Sequence, residues 1–110
     1  MEIIIRPLSG RGSDIRVEYN KDDIHVHWGN SDFKIKKAVI EEIKINFFKD
    51  KDEWYLLGAC IDKPIKYGLG EYITKEHNLT PKHASVIAAI MYKEGLIEFR
   101  GKRPIELKLI

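Results

Sequence analysis

Residues 79–110 read LTPKHASVIAAIMYKEGLIEFRGKRPIELKLI, and this stretch decides the fold of the C-terminal half. Thr80 and Pro81 form a typical helix start, because a hydroxyl can cap free N–H groups and proline has no N–H to satisfy. The helix is expected to end at Gly95, since glycine readily adopts the left-handed conformation that follows many helices. Its apolar positions are Ala84, Ile87, Ala88 and Met91.

Shorter elements flank this helix on both sides. Residues 70–77, GEYITKEH, place apolar side chains at helical spacing and predict a short helix, which a turn at 78–79 ends. On the other side, residues 96–99 and 105–110 surround the loop Arg100-Gly101-Lys102-Arg103-Pro104. Two apolar segments around a loop with glycine and proline predict a β-hairpin with a basic loop.

Short helix, turn, longer helix and hairpin is the order of elements in winged helix-turn-helix proteins, and residues 67–110 resemble that superfamily. The junction Lys93-Glu94-Gly95-Leu96-Ile97 is similar to the family's passage from recognition helix to wing. The resemblance implies binding of double-stranded DNA, with the longer helix in the major groove and the wing on the backbone or in the minor groove. The DNA-binding residues that it implies are Lys82, His83 and Ser85 in the first helical turn and Arg100, Lys102 and Arg103 in the wing.

The longer helix departs from this family in its apolar character after Ser85. It continues as VIAAIM, so that Val86, Ala89 and Ile90 occupy the side on which a groove-reading helix carries polar groups. Three arrangements remain open: the N-terminal half covers this side, another protein covers it, or only the first turn and the wing touch DNA. We therefore expect limited base reading, and the alternative function is a protein-interaction module that docks a partner on residues 86–90.

The N-terminal half has the pattern of an antiparallel sheet. Residues 2–8 begin with a β-branched run that Pro7 ends, and the segments IRVEYN, IHVHW and DFKIK alternate apolar and polar residues. Turns are predicted at residues 20–23 and at Gly29-Asn30-Ser31. From about Lys37 the apolar spacing changes to three and four residues, which predicts one helix.

The predicted fold is α+β: an N-terminal antiparallel β-meander with one helix, residues 1–58, packed on a C-terminal winged helix-turn-helix, residues 66–110. Residues 49–53, KDKDE, are a charged connection, and residues 58–68 are predicted as a loop or a short 3₁₀ turn. Because the chain has no linker rich in serine and glycine, the two parts are predicted to form one compact unit. The N-terminal half is expected to supply a homodimer interface or a second contact surface through exposed edge strands.

Composition limits the class of protein. The chain has 110 residues, 44% hydrophobic and 33% charged, with a net charge of +2, as in ordinary globular proteins. It contains no apolar run that could span a bilayer, and its start, MEIIIRPLSG, lacks the pattern of a secretory signal, so a cytoplasmic protein without a membrane partner is expected. The single cysteine, Cys60, excludes an internal disulfide and a thiolate zinc cluster.

Two histidines on the third predicted strand are candidate metal ligands. His25 and His27 are two residues apart and therefore point to the same side of a strand. A third ligand would have to come from Asp23 or Asp14. The sequence favours exposed strand histidines, and we predict no metal and no cofactor.

Several acidic residues form a weak nuclease-like pattern. Glu42-Ile43-Lys44, with acidic residues at Asp22, Asp23 and Asp32, resembles the acid and E-x-K arrangement of metal-dependent nucleases. In those sites the E-x-K segment lies on a strand, whereas this one falls in a helical pattern. The resemblance to winged helix-turn-helix proteins therefore implies a non-enzymatic DNA-binding protein, a transcriptional regulator or an accessory DNA-binding factor.

Overall fold

The computed structural model describes residues 2–59 and 66–110, and within them the chain is α+β, with two antiparallel sheets and three α-helices. The predicted fold class is confirmed at this level. Cys60 and most of the loop predicted at residues 58–68 lie outside the described residues.

The N-terminal sheet is the predicted meander. Its strands are β1 (Glu2–Ile5), β2 (Ile15–Tyr19), β3 (Asp23–Trp28) and β4 (Ser31–Lys36), and each pairs antiparallel with the next. Alternation places one side of every strand in the core. The buried side chains of this sheet are Ile5, Ile15, Val17, Ile24, Val26 and Ile35.

The predicted helix after the meander is confirmed, but its second half is wider than an α-helix. Helix α1 spans Lys37–Glu42 and continues directly as a π-helical turn at Ile43–Phe47. The turn ends where the Phe48 N–H donates to the carbonyl of Ile43 over 3.3 Å. It brings both phenylalanines of this segment into the core, where they are at most 7% exposed.

The C-terminal half contains the two predicted helices and the hairpin. A short strand β5 (Tyr55–Leu56) precedes α2 (Leu69–His77) and α3 (Lys82–Lys93), which lead into β6 (Ile97–Arg100) and β7 (Glu106–Leu109). These three strands form the second sheet in the order β5-β7-β6. The predicted helix starts and the hairpin agree with these bounds to within one or two residues.

The two ends of α3 differ in how well the sequence predicted them. The Thr80 hydroxyl does not cap a backbone N–H; it lies 2.8 Å from Nδ1 of His83, which also accepts the Thr80 backbone N–H over 3.1 Å. This contact joins Thr80 to His83, and α3 begins without a side-chain cap. At the other end the prediction is confirmed: Gly95 has a φ of +76°, and the Leu96 N–H donates to the carbonyl of Met91 over 2.9 Å.

Helix α3 is the centre of a core that both halves share. From Val86 to Met91 every residue is at most 2% exposed, and the same apolar cluster contains Val17 of the N-terminal sheet and Leu107 of the C-terminal hairpin. Contacts with β1 and β6 place α3 against both sheets. The two halves therefore share one core.

Among the described residues, no helix has the length and apolar content needed to cross a membrane.

Candidate nucleic-acid interface

The first turn of α3 lies against the N-terminal sheet. Lys82 is exposed, but its ammonium sits 5.2 Å from the centroid of the Trp28 ring. The imidazole of His83 meets the Phe33 ring edge to face, with centroids 4.3 Å apart, and Ser85 is half-buried. The three residues predicted to read the groove are thus at the edge of an internal packing surface.

The environment of His83 favours its neutral form. Burial is the largest influence and lowers the pKa of His83, and the nearby charge of Lys82 lowers the pKa further. A neutral imidazole cannot form an ion pair with a phosphate, and its Nδ1 already accepts the Thr80 N–H. His83 therefore links the helix start to the strand side of the core.

The apolar side of α3 beyond Ser85 is covered by the chain itself. Val86, Ala89 and Ile90 are exposed by 0%, 2% and 0%. Of the three arrangements that the sequence left open, the structure shows the first, in which the N-terminal half covers this side. Docking of a partner on residues 86–90, the alternative predicted from sequence, is wrong because this surface is not accessible.

The C-terminal hairpin, formed by β6, β7 and the loop between them, ends in a tight exposed turn. Gly101 has a φ of +80°, and a Cβ there would lie 2.5 Å from the carbonyl oxygen of Pro104. The turn therefore requires glycine. Lys102 and Arg103, here named the basic tip, follow it and are exposed.

Arg100 is engaged within the protein, unlike the basic tip. Its Nε donates to the carboxylate of Glu106 over 3.0 Å, and its guanidinium carbon lies 4.1 Å from the centroid of the Trp54 ring. The ammonium of Lys108 lies 5.5 Å from the same ring. Trp54 is therefore a half-buried platform for two cations, a role that no local pattern in the sequence indicates.

Leu57 connects the end of the hairpin loop with the start of α2. The Leu57 N–H donates to the carbonyl of Ile105 at the end of the hairpin loop, and the Leu57 carbonyl accepts the Gly70 N–H, each over 3.0 Å. A Cβ on Gly70 would lie 3.1 Å from that of Pro81, immediately before α3. The start of α3 therefore lies beside the first turn of α2, which Leu57 joins to the end of the hairpin loop.

The acidic residues considered for a nuclease have separate partners. The Glu42 carboxylate accepts hydrogen bonds from the Tyr72 hydroxyl and from the Asn46 amide, and it pairs with His77 Nε2 at 2.5 Å. Burial alone would raise the pKa of Glu42, but the hydrogen bonds from Tyr72, His77 and Asn46 outweigh burial and lower it. Glu42 thus joins α1 to α2, whereas Asp32 contacts histidines of the sheet.

The third candidate ligand beside His25 and His27 is Asp32, and not Asp23 or Asp14. Asp32 lies directly opposite His27 on the neighbouring strand and contacts both imidazoles. The sequence predicted a three-residue turn, Gly29-Asn30-Ser31, which would not pair residue 32 with residue 27. The observed turn contains only two residues between β3 and β4, and the resulting register places Asp32 opposite His27.

Comparison of the chain with models of known protein families, with curated proteins and with solved structures gives no significant match.

Proposed function

We propose that this protein binds duplex DNA without catalysis, through phosphate contacts made by the C-terminal hairpin. In this proposal the hairpin is the wing of a winged helix-turn-helix, and α3 is its buried support. The order of α2, α3, β6 and β7, with β5 beside β7, supports that assignment because it is the order of elements in the superfamily.

The observation that carries the proposal is the exposure of the basic tip. Lys102 and Arg103 follow a turn whose backbone only glycine accommodates, and no hydrogen bond or ion pair engages their side chains within residues 2–59 and 66–110. Cations presented in this way neutralise phosphates and release condensed counterions. Arg100, which is paired with Glu106, contributes mainly by keeping the hairpin in place.

The first turn of α3 has a supporting role in this proposal. Lys82 is exposed and adds positive charge at the start of α3, whereas His83 and Ser85 are half-buried. Phosphate contacts position a protein on DNA, and contacts to base edges supply sequence specificity. We therefore propose weak sequence preference, as expected of an accessory factor or of a regulator that acts with a partner.

The test is fluorescence anisotropy with a labelled random duplex across a salt series. The affinity of the native protein is expected to fall steeply with salt. In a plot of log affinity against log salt concentration, each phosphate contact makes the slope more negative by about 0.9. The double variant Lys102→Ala/Arg103→Ala is expected to bind more weakly and to lower that slope by about 2.

The matched control is Lys21→Ala/Lys51→Ala, which changes the net charge by the same amount at exposed turns outside the hairpin. The control is expected to keep the native slope. Absence of binding at low salt would refute the proposal. An equal loss in both double variants would show that total charge, and not the basic tip, governs the interaction.

A further inference from the structure

Three metal-ligating side chains meet on the outer side of the N-terminal sheet. His25 Nε2 lies 2.5 Å from one carboxylate oxygen of Asp32, and His27 Nδ1 lies 2.9 Å from the other. The two imidazole rings are 4.2 Å apart between centroids. We name these three residues the His/Asp cluster; one ligand atom from each lies within 4.8 Å of the other two.

The backbone holds the His/Asp cluster in place. Both histidines belong to β3, an inner strand that is paired along its length with β2 and β4. Ile24 and Val26 point into the core, so the alternate residues His25 and His27 point outward. Asp32 approaches from β4 because it is the register partner of His27.

The separation of the ligand atoms suits a small divalent ion. Bonds of about 2.0–2.2 Å in tetrahedral geometry place ligand atoms about 3.3 Å apart. The three ligand atoms lie within 4.8 Å of one another, so small side-chain rotations would bring them to the spacing of about 3.3 Å that the ion requires. The side chain of Asp32 is 58% exposed and those of His25 and His27 are 25% and 32% exposed, so an ion can enter from solvent and keep water in its remaining positions.

The donor set favours one chemical class of ion. Two imidazole nitrogens with one carboxylate oxygen suit zinc, copper or nickel, whereas magnesium and calcium prefer oxygen ligands. The surrounding charge is mixed: Glu18 and Lys34 are the register partners of His25 on the two neighbouring strands, and Arg16 is that of His27. The field around the cluster therefore does not select a highly charged ligand.

We propose that the His/Asp cluster is a binding site for one divalent transition-metal ion, held by His25, His27 and Asp32. The ion joins β3 to β4 across the hairpin that connects them. An ion bound only by the folded chain stabilises it by an amount that grows with the logarithm of the ion concentration above the dissociation constant. This site is independent of the proposed DNA contacts, because its residues lie in the other sheet.

The test is titration of untagged protein with Zn²⁺ by calorimetry, with Co²⁺ absorption spectra as a second probe. One Zn²⁺ per chain is expected, and the melting temperature is expected to rise with Zn²⁺ concentration. Single variants His25→Gln, His27→Gln and Asp32→Asn are each expected to weaken Zn²⁺ binding by about tenfold or more, as loss of a ligand exceeds loss of an outer contact. Circular dichroism checks that each variant is folded.

Two control variants separate this site from other donors. His83→Asn removes a histidine of the core boundary, and Cys60→Ser removes the single thiol. Both are expected to bind Zn²⁺ as the native chain does, and Mg²⁺ is expected not to compete. Absence of Zn²⁺ binding at 100-fold excess, or native affinity in the double variant His25→Gln/His27→Gln, would overturn the proposal.

Discussion

The ammonium of Lys82 lies 5.2 Å from the centroid of the Trp28 ring, so that the first residue of α3 contacts the last residue of β3. This contact joins the two halves of the chain at their boundary. It also occupies a residue that the sequence assigned to the major groove. The start of α3 is therefore part of the protein's internal structure before any ligand binds.

Replacement of Lys82 by alanine tests the strength of this contact. Lys82→Ala is expected to lower the free energy of unfolding by about 0.5–1 kcal/mol, the range of exposed cation–π pairs. Urea denaturation measures the change. Lys93→Ala, an exposed lysine at the other end of α3, is the control and is expected to change stability by less than about 0.5 kcal/mol. Equal losses of stability in Lys82→Ala and Lys93→Ala would show that the contact with Trp28 does not stabilise the protein.

The central position of α3 predicts a large effect of truncation within it. Ile90→Ala removes a side chain that is 0% exposed and is expected to lower the free energy of unfolding by about 2–5 kcal/mol. The same denaturation experiment measures it, with Lys93→Ala again as the exposed comparison. A loss below 1 kcal/mol would mean that this side of α3 is accessible in solution.

His83 predicts a pH dependence of stability with a definite sign. Because its pKa is lowered in the folded state from the ordinary value of 6.5, the unfolded chain binds more protons between the two values. The contribution of His83 is fully present above pH 6.5 and is lost as pH falls through that window. His83→Asn retains an acceptor for the Thr80 N–H but does not titrate.

The measurement is the difference in unfolding free energy between the native chain and His83→Asn at several pH values from 7.5 to 5. The advantage of the native chain is expected to shrink on acidification. The control is Asn30→Ala, an exposed turn substitution without a titrating group, whose difference from the native chain is expected to be independent of pH. A constant difference for His83→Asn would show that its imidazole is solvated.

Arg100 and the basic tip are expected to affect different measurements. Arg100→Ala removes the hydrogen bond to Glu106 and the stacking on Trp54, and it is expected to lower stability by about 1 kcal/mol. Arg100→Ala is expected to change the salt dependence of DNA binding less than the double variant Lys102→Ala/Arg103→Ala does for each residue replaced. Denaturation and anisotropy on the same samples compare the two. A larger slope change in Arg100→Ala would place the phosphate contact at residue 100.

The position of Gly70 at the start of α2 has no room for a larger side chain. A Cβ at this position would lie 2.0 Å from the carbonyl oxygen of Gly58, so Gly70→Ala requires backbone movement. We expect a loss of about 1–3 kcal/mol in stability, the usual cost of overpacking. Thermal or urea denaturation measures it, and Glu76→Ala on the exposed side of α2 is the control. Native stability in Gly70→Ala would show that the segment at Gly58 can move freely.

Regular periodicity explains which parts of the fold were predictable from the sequence. The meander strands alternate apolar and polar residues with period two, α2 and α3 have helical spacing, and Gly95 follows the C-terminal end of α3. Local pattern therefore specified these elements. The π-helical turn at Ile43–Phe47 was not predictable, because its apolar residues have nearly the same spacing as those of an α-helix.

The candidate sites depend on contacts between residues that are far apart in the sequence. The sequence predicted only some of these contacts. That α3 is apolar on several sides was visible, but what covers it was not. Asp32 was missed because a turn longer by one residue shifts every cross-strand pair. The pairing of Arg100 with Glu106 follows from hairpin register as well, and the stacking on Trp54 needs the third strand.

The enclosure of α3 by both sheets has a consequence for the exchange of its backbone amides with solvent. An amide hydrogen within Val86–Met91 reaches water only when the surrounding layers separate, because local fraying begins at helix ends and in loops. Deuterium uptake at these amides is therefore expected to be the slowest in the described chain and to follow the free energy of global unfolding. The longer helix thus reports the opening of the whole molecule.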